Sequence, residues 1–282
     1  MGVEQVYYDH FIRAREYEAA WKSYRDLKNK KGVAPPRRDL ELDALAEILA
    51  GERHITCHSY VQSEINMLMS VADSLKFRIN TFTHILEGYK LADKMAQRKI
   101  GGSAFADWGA YKMEVKEAIP YNAALMAKEG ITVAINSDDA EMARRLNQEA
   151  AKTITFGGVS ENEALKMVTL NPARLLGMDH RIGSIKAGKD ADLVLWNDHP
   201  LSIYARPEFT LIEGKVYFSR EEDRQRQQRM SAEKARLIQK SLDAKSGGAG
   251  TQPPQSVRPR MWHCEDILGE HAEHHDHEET HR

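Results

Sequence analysis

The sequence predicts an α/β protein: a partial TIM-like (β/α) barrel, a small β-unit behind it, and a polar tail. Three observations carry this expectation. Between residues 55 and 152 short apolar runs alternate with helical stretches, the pattern of a parallel sheet with crossover helices. From 183 to 218 the period shortens to two, with turn signals between the runs. After Phe218 the chain turns highly charged, then rich in Gly and Pro, and ends in histidines and acids.

The elements follow in order. Residues 1–30 predict a helix, because Val6, Phe11, Ile12, Tyr17, Ala20, Trp21 and Tyr24 recur at helical spacing. A basic, proline-containing loop (28–38) leads to a second helix, 39–49, that stops near Gly51. Strands are expected within ITCHSY (55–60), FRINTFTH (77–84), IGGSAFADW (100–108) and ITVAINSD (131–138). Helices are expected at 63–75, 87–98, 114–130 and 140–152. That makes four βα units where a closed barrel has eight. Ser160 and Glu163 form a capping box. Asn171 and Pro172 suit an N-cap and first helical position, with Gly177 as the stop. In the β-unit Ala191, Leu193 and Leu195 should share one face, and TLIEGKVYF (210–218) should form strand, turn, strand. The expected organisation is barrel portion 1–180, β-unit 181–219, and charged helix, linker and His-rich tail 220–282.

Composition narrows the function. The 282 residues carry 40 basic and 42 acidic side chains, a net charge of −2, so no basic field invites nucleic acid. No apolar run approaches the ~18 residues of a membrane span. MGVEQVYYDH has neither a basic start nor an apolar core, so it is not a signal peptide and suggests the interior of a longer parent. The compartment is left unassigned: as given the chain reads as cytoplasmic, and a longer parent could be exported. Cys57 and Cys264 are too far apart for a disulfide framework or a CxxC site.

Functional groups in a parallel βα array collect where strands end. Three of the four expected strands end on His58, His84 and Asp138. A single histidine there is usually structural; two with an aspartate on neighbouring strands make a metal-ligand set. Imidazole and carboxylate donors suit Zn²⁺ or a similar divalent ion. Such an ion brings the pKa of its bound water toward ~7.

With ITCHSY, NTFTHILEGYK, VAINSDD and LNPARLLGMDHRIGSIKAGKDADLVLW on the page, the chain resembles the amidohydrolase superfamily. The likeness is to its imidazolonepropionase-like and dipeptidase-like branch and covers residues 1–218. The last stretch is the most specific, joining the final barrel helices to a β-sandwich. The resemblance implies the last four βα units of the barrel and part of that C-terminal sandwich. It implies His58 and His84 as the metal ligands of strands five and six. It also implies Asp138 after strand eight, touching the metal and shuttling a proton, with Asp139 as the adjacent alternative. The activity implied is hydrolysis of a carbon–nitrogen bond in a small amide, cyclic amide or dipeptide-like substrate.

The departures are as informative. The family's HxH pair on strand one and its strand-four ligand have no counterpart. His275-Asp276-His277 lies in the polar tail with no strand before it. Three candidate ligands remain where a competent site uses about four positions, one of them open. Two rival readings follow: a truncated, non-catalytic metal-binding or interaction protein, and a tail that buffers metal. Unpaired barrel edges also suggest self-association.

Other residues carry two readings each. Glu87, Tyr89 and Lys90 could line the pocket or be solvated on a first helical turn. Asp107, Trp108, Tyr111 and Lys112 could shape a substrate wall or simply pack. His54 suits a structural role and Cys57 a small buried hydrophobe. Cys264 and the tail histidines could collect metal, or belong to a polar tail.

Overall fold

The computed structural model describes residues 2–250 and Gln252. The chain forms two compact units, the first ending at Arg224 and the second beginning at Gln225.

The first unit opens with helices α1 (Gly2–Asp26) and α2 (Leu40–Ala50). Asp39 caps α2 by accepting from the Glu41 and Leu42 N–H groups, and Gly51 ends it at φ 77°. Tyr17 on α1 donates its hydroxyl to Asp43 at 2.6 Å, tying the two helices together. The strand–helix alternation follows: β1 (Thr56–His58), α3 (Gln62–Leu75), β2 (Thr81–Thr83), α4 (Ala92–Gln97), β3 (Gly101–Ala104), α5 (Asn122–Lys128) and β4 (Val133–Ile135). The four strands pair in parallel in chain order, with His58 opposite Thr83 and Ala104 opposite Ile135. Ile65, Met69, Phe82, Met95, Met126 and Val133 are fully buried between strands and helices. Burying side chains of this size stabilises by roughly 1.5–3 kcal/mol each. At Gly101 on β3 a Cβ would meet the end of the Leu175 side chain, which would have to move.

Three expected helices are shorter than their patterns. Residues 87–98 hold a 3₁₀ turn, Gly88–Lys90, before the six residues of α4. Residues 114–130 hold a 3₁₀ turn, Met113–Val115, and only then α5. Pro120 lies between them and has no N–H to continue a helix. The stretch 140–152 divides into α6 (Ala140–Ala143) and α7 (Leu146–Gly157), because Arg145 leaves helical geometry at φ −135°, ψ 33°. Beyond them lie α8 (Glu161–Lys166) and α9 (Leu170–Leu175). Ser160 caps α8 as expected, accepting the Glu163 N–H at 3.3 Å.

Asn171 is not an N-cap. It sits inside α9, buried, and its Nδ2 donates to the Val133 carbonyl at 2.8 Å. The Ile135 N–H donates to the Met167 carbonyl at 2.9 Å. These two bonds occupy the outer edge of β4, so the expectation of two bare sheet edges is corrected there. The outer edge of β1 differs. Ile55 and Ser59 bond toward β2, so by alternation Thr56 and His58 turn their backbone groups the other way.

A three-stranded antiparallel sheet completes this unit: β5 (Leu193–Trp196), β6 (Pro207–Ile212) and β7 (Lys215–Ser219). Glu213 and Gly214 turn the β6–β7 hairpin at φ 50° and 78°. Ala191 and Leu193 are half-buried, whereas Leu195 is exposed, so the expected shared face is not uniformly covered. Helix α10 (Arg220–Ser246) buries none of its residues. Cys264 and the tail histidines His271, His274, His275, His277 and His281 lie outside the described residues, as does most of the predicted Gly- and Pro-rich linker. Among the described residues no helix is long and apolar enough to cross a membrane.

Candidate active site

The carboxyl ends of the parallel strands gather the polar groups. His58 closes β1 and His84 follows β2 by one residue, so parallel pairing sets them side by side. His58 Nδ1 and His84 Nε2 are 2.6 Å apart. His58 is exposed, whereas His84 is 4% exposed. The His84 backbone is left-handed (φ 46°), and its N–H donates to Ser103 Oγ on β3 at 3.2 Å. Burial holds the His84 imidazole below its usual pKa; the neighbouring His58 adds to this, and the Asp138 charge opposes it. Among the described residues, His84 Nδ1 is buried without a hydrogen-bond partner.

Asp138 follows β4 and is also left-handed, at φ 53°. A non-glycine residue held there costs about 1–3 kcal/mol, and such geometry concentrates at functional sites. Among the described residues its carboxylate has neither a hydrogen bond nor an ion pair, yet its charge reaches His84 and Tyr111. Asp139 is engaged elsewhere, as N-cap of α6, accepting from the Glu141 and Met142 N–H groups at 2.9 Å.

The donor chemistry fits a divalent ion in part. Two imidazole nitrogens, donors that a divalent ion accepts, stand side by side at hydrogen-bond distance. Among the described residues no group of three or more His, Cys, Asp or Glu side chains closes around one point, so Asp138 is not gathered with the two histidines.

Aromatic rings wall this mouth. Tyr60 stacks on His84 with centroids 4.5 Å apart, and Phe105 lies 6.1 Å beyond. Trp108 packs on Phe105 at 5.0 Å and on Tyr111 at 4.5 Å. The Lys112 ammonium stands 4.1 Å from the centre of the Tyr60 ring. Burial, then hydrogen bonding to Tyr60, pushes the Tyr111 hydroxyl pKa up.

The remaining candidates resolve into support. Glu87 is buried and accepts from the Gln62 N–H and the Lys90 ammonium, each at 3.1 Å. Lys90 also pairs with Glu117. The Tyr89 hydroxyl donates to the Glu117 carbonyl at 3.1 Å. Asp107 is bound by Lys152 at 2.7 Å, and Lys152 also holds the buried Glu149 at 2.9 Å. Cys57 packs against the core with its thiol pKa raised by burial, and His54 is exposed.

Sequence reasoning missed Tyr60, Ser103 and Asn122. Tyr60 was findable: it shares a side with His58, two residues back. Ser103 and Asn122 gave no signal, because their partners are distant in sequence. Asn122 accepts the Tyr89 N–H at 2.9 Å and donates to the Ile85 carbonyl at 2.7 Å, fixing the loop after His84.

The model of the Amidohydrolase family matches residues 58–218, more than half of the chain. The protein belongs to the amidohydrolase family. Amidohydrolase tasK of Hapsidospora irregularis is 33% identical over 186 residues, covering 64% of this chain and 19% of that protein. The 5-methylthioadenosine/S-adenosylhomocysteine deaminase of Moorella thermoacetica is 41% identical over 80 residues, covering 25% of this chain and 19% of its own. The chain therefore spans about a fifth of the length of these curated relatives. An amidohydrolase from Thermotoga maritima MSB8 superposes with a TM-score of 0.69 at 28% identity, over 78% of this chain and 56% of its own. The fold and the family thus agree with the motifs in 55–196.

Proposed function

We propose that this amidohydrolase-family chain contributes the second half of a barrel, and part of a β-sandwich, to a metal-dependent hydrolase of carbon–nitrogen bonds. The substrate class is a small amide, cyclic amide or dipeptide-like molecule. The observation that carries the reading is the facing pair His58 Nδ1 and His84 Nε2, 2.6 Å apart at the carboxyl mouth of a parallel sheet.

His58 and His84 would hold the ion, Zn²⁺ being the one their donors favour. A divalent ion in that place supplies polarisation of a substrate carbonyl and a lower pKa for water. The chain's own groups do the rest. Asp138, free of hydrogen-bond and ion-pair partners among the described residues, accepts a proton from the attacking water. Water oxygen then bonds to the carbonyl carbon. Asp138 returns the proton to the nitrogen as the carbon–nitrogen bond breaks. Tyr60, Phe105 and Trp108 keep the mouth apolar, which strengthens each charge interaction inside it.

One specific observation favours a second reading, that this chain by itself binds metal without turning over. Among the described residues no third ligand joins the two histidines. Metal content separates the readings from no binding at all. The purified chain should carry a divalent ion by elemental analysis, and His58→Ala or His84→Ala should each lower its retention at least several-fold. Equal metal in wild type and both variants, with the tail residues 262–282 deleted, would remove the histidine pair from the function.

A further inference from the structure

We infer that Lys112 forms an anion subsite that selects amide substrates carrying a free carboxylate, such as N-acyl amino acids or dipeptides. The inference rests on the reading of His58 and His84 as the reaction centre. Three lysines stand around the carboxyl ends of the parallel strands. Lys90 is neutralised by Glu87 and Glu117, and Lys152 by Asp107 and Glu149. Lys112 has no ion-pair partner among the described residues. Its ammonium rests instead on aromatic faces, 4.1 Å from the Tyr60 centroid and 5.7 Å from that of Tyr111.

A cation–π contact holds an ammonium at about 0.5–2 kcal/mol but leaves its charge uncompensated. Lys112 is half-buried, so water neutralises it only in part. The Tyr60 ring that carries it also stacks on His84 at 4.5 Å. The cation therefore belongs to the same mouth as the histidine pair, and its charge is felt at His84. The stacked pair Trp108 and Tyr111 precedes Lys112 on the same loop and offers an apolar wall. A ligand meeting these groups together needs an amide near the histidines, an apolar or aromatic side chain on the wall, and an anion at Lys112. Asp138 and Glu114 are the carboxylates whose charges reach Tyr111, and neither is ion-paired to Lys112.

Binding tests this without turnover. N-acetyl-L-phenylalanine and N-acetyl-L-phenylalaninamide differ at one end, a carboxylate against a neutral carboxamide of similar size. Titrated calorimetrically into the 282-residue chain at low salt, the acid should bind about tenfold or more tightly than the amide, the usual gain from a charged hydrogen bond. Lys112→Met should abolish the preference and Lys112→Arg should keep it. Equal binding of the two probes, no binding of either, or a preference that survives Lys112→Met would overturn the inference. Repeating the titrations in a His58→Ala background separates the two proposals. There the acid preference should persist while metal retention falls. A wild-type chain that takes no divalent ion yet prefers the acid through Lys112 would overturn the metal reading alone.

Discussion

His58 Nδ1 lies 2.6 Å from His84 Nε2, although 26 positions separate the two residues in the chain. That is the spacing of a hydrogen bond between the two rings, with the donor set by tautomer. Two nitrogens on one tetrahedral ion would stand about 3.3 Å apart, so metal binding would spread the pair slightly. The relation follows from register. His58 is opposite Thr83, and the left-handed turn at His84 brings the next side chain round to meet it. The same turn is secured from below by Ser103, whose Oγ takes the His84 N–H at 3.2 Å.

Asp138 and Asp139 should separate cleanly by substitution. In a form of the enzyme that turns over, Asp138→Asn should lower the rate ~10²–10⁴-fold with metal content unchanged. Asp139→Ala should instead destabilise by about 1 kcal/mol, the usual cost of a lost N-cap, and leave the chemistry largely intact. Near-normal turnover of Asp138→Asn, read beside its metal content, would move the proton role elsewhere.

Asn122 holds the loop after His84 from both ends, to the Tyr89 N–H and the Ile85 carbonyl. Asn122→Leu fills similar volume but strands a buried donor and a buried acceptor. Each unpaired group costs about 1–3 kcal/mol. Urea denaturation should show a clear fall in midpoint; an unchanged midpoint would mean water replaces the amide.

The open edge of β1 should drive self-association. Thr56 is exposed and directs its backbone groups away from β2, as parallel alternation requires. Sedimentation velocity should show association that grows with concentration. Thr56→Lys places a charge at that edge, the usual protection of exposed strands, and should shift the chain toward monomer. A wild-type chain that stays monomeric at every concentration would place the sticky surface elsewhere, or nowhere.

Acid should loosen the α1–α2 pair. The Tyr17 hydroxyl, then the Arg38 guanidinium, hold the Asp43 carboxyl below its usual range. A group whose folded pKa is depressed adds stability above its unfolded value, and that stability fades as pH falls through the folded one. Melting temperature should therefore drop below about pH 4, the unfolded aspartate range. Tyr17→Phe should flatten that drop, as read by thermal melts between pH 3 and pH 7.

The sequence by itself determined the alternation of strands and helices, because side-chain periodicity is local and survives without the fold. It also placed His58, His84 and Asp138 at strand ends, because a strand ends where its apolar run does. Its errors were of two kinds. Pro120 was visible inside 114–130, but the helical pattern around it outweighed a missing donor. Asn171 had the residue type of a cap, and only contact with Val133 shows its amide serving the β4 edge. Register was the work of the tertiary structure alone. It brought two histidines to within 2.6 Å and, among the described residues, left Asp138 outside a three-ligand group and gave Lys112 an aromatic bed but no ion-pair partner. Those relations join residues on different strands and loops, and no local pattern encodes the distance between them.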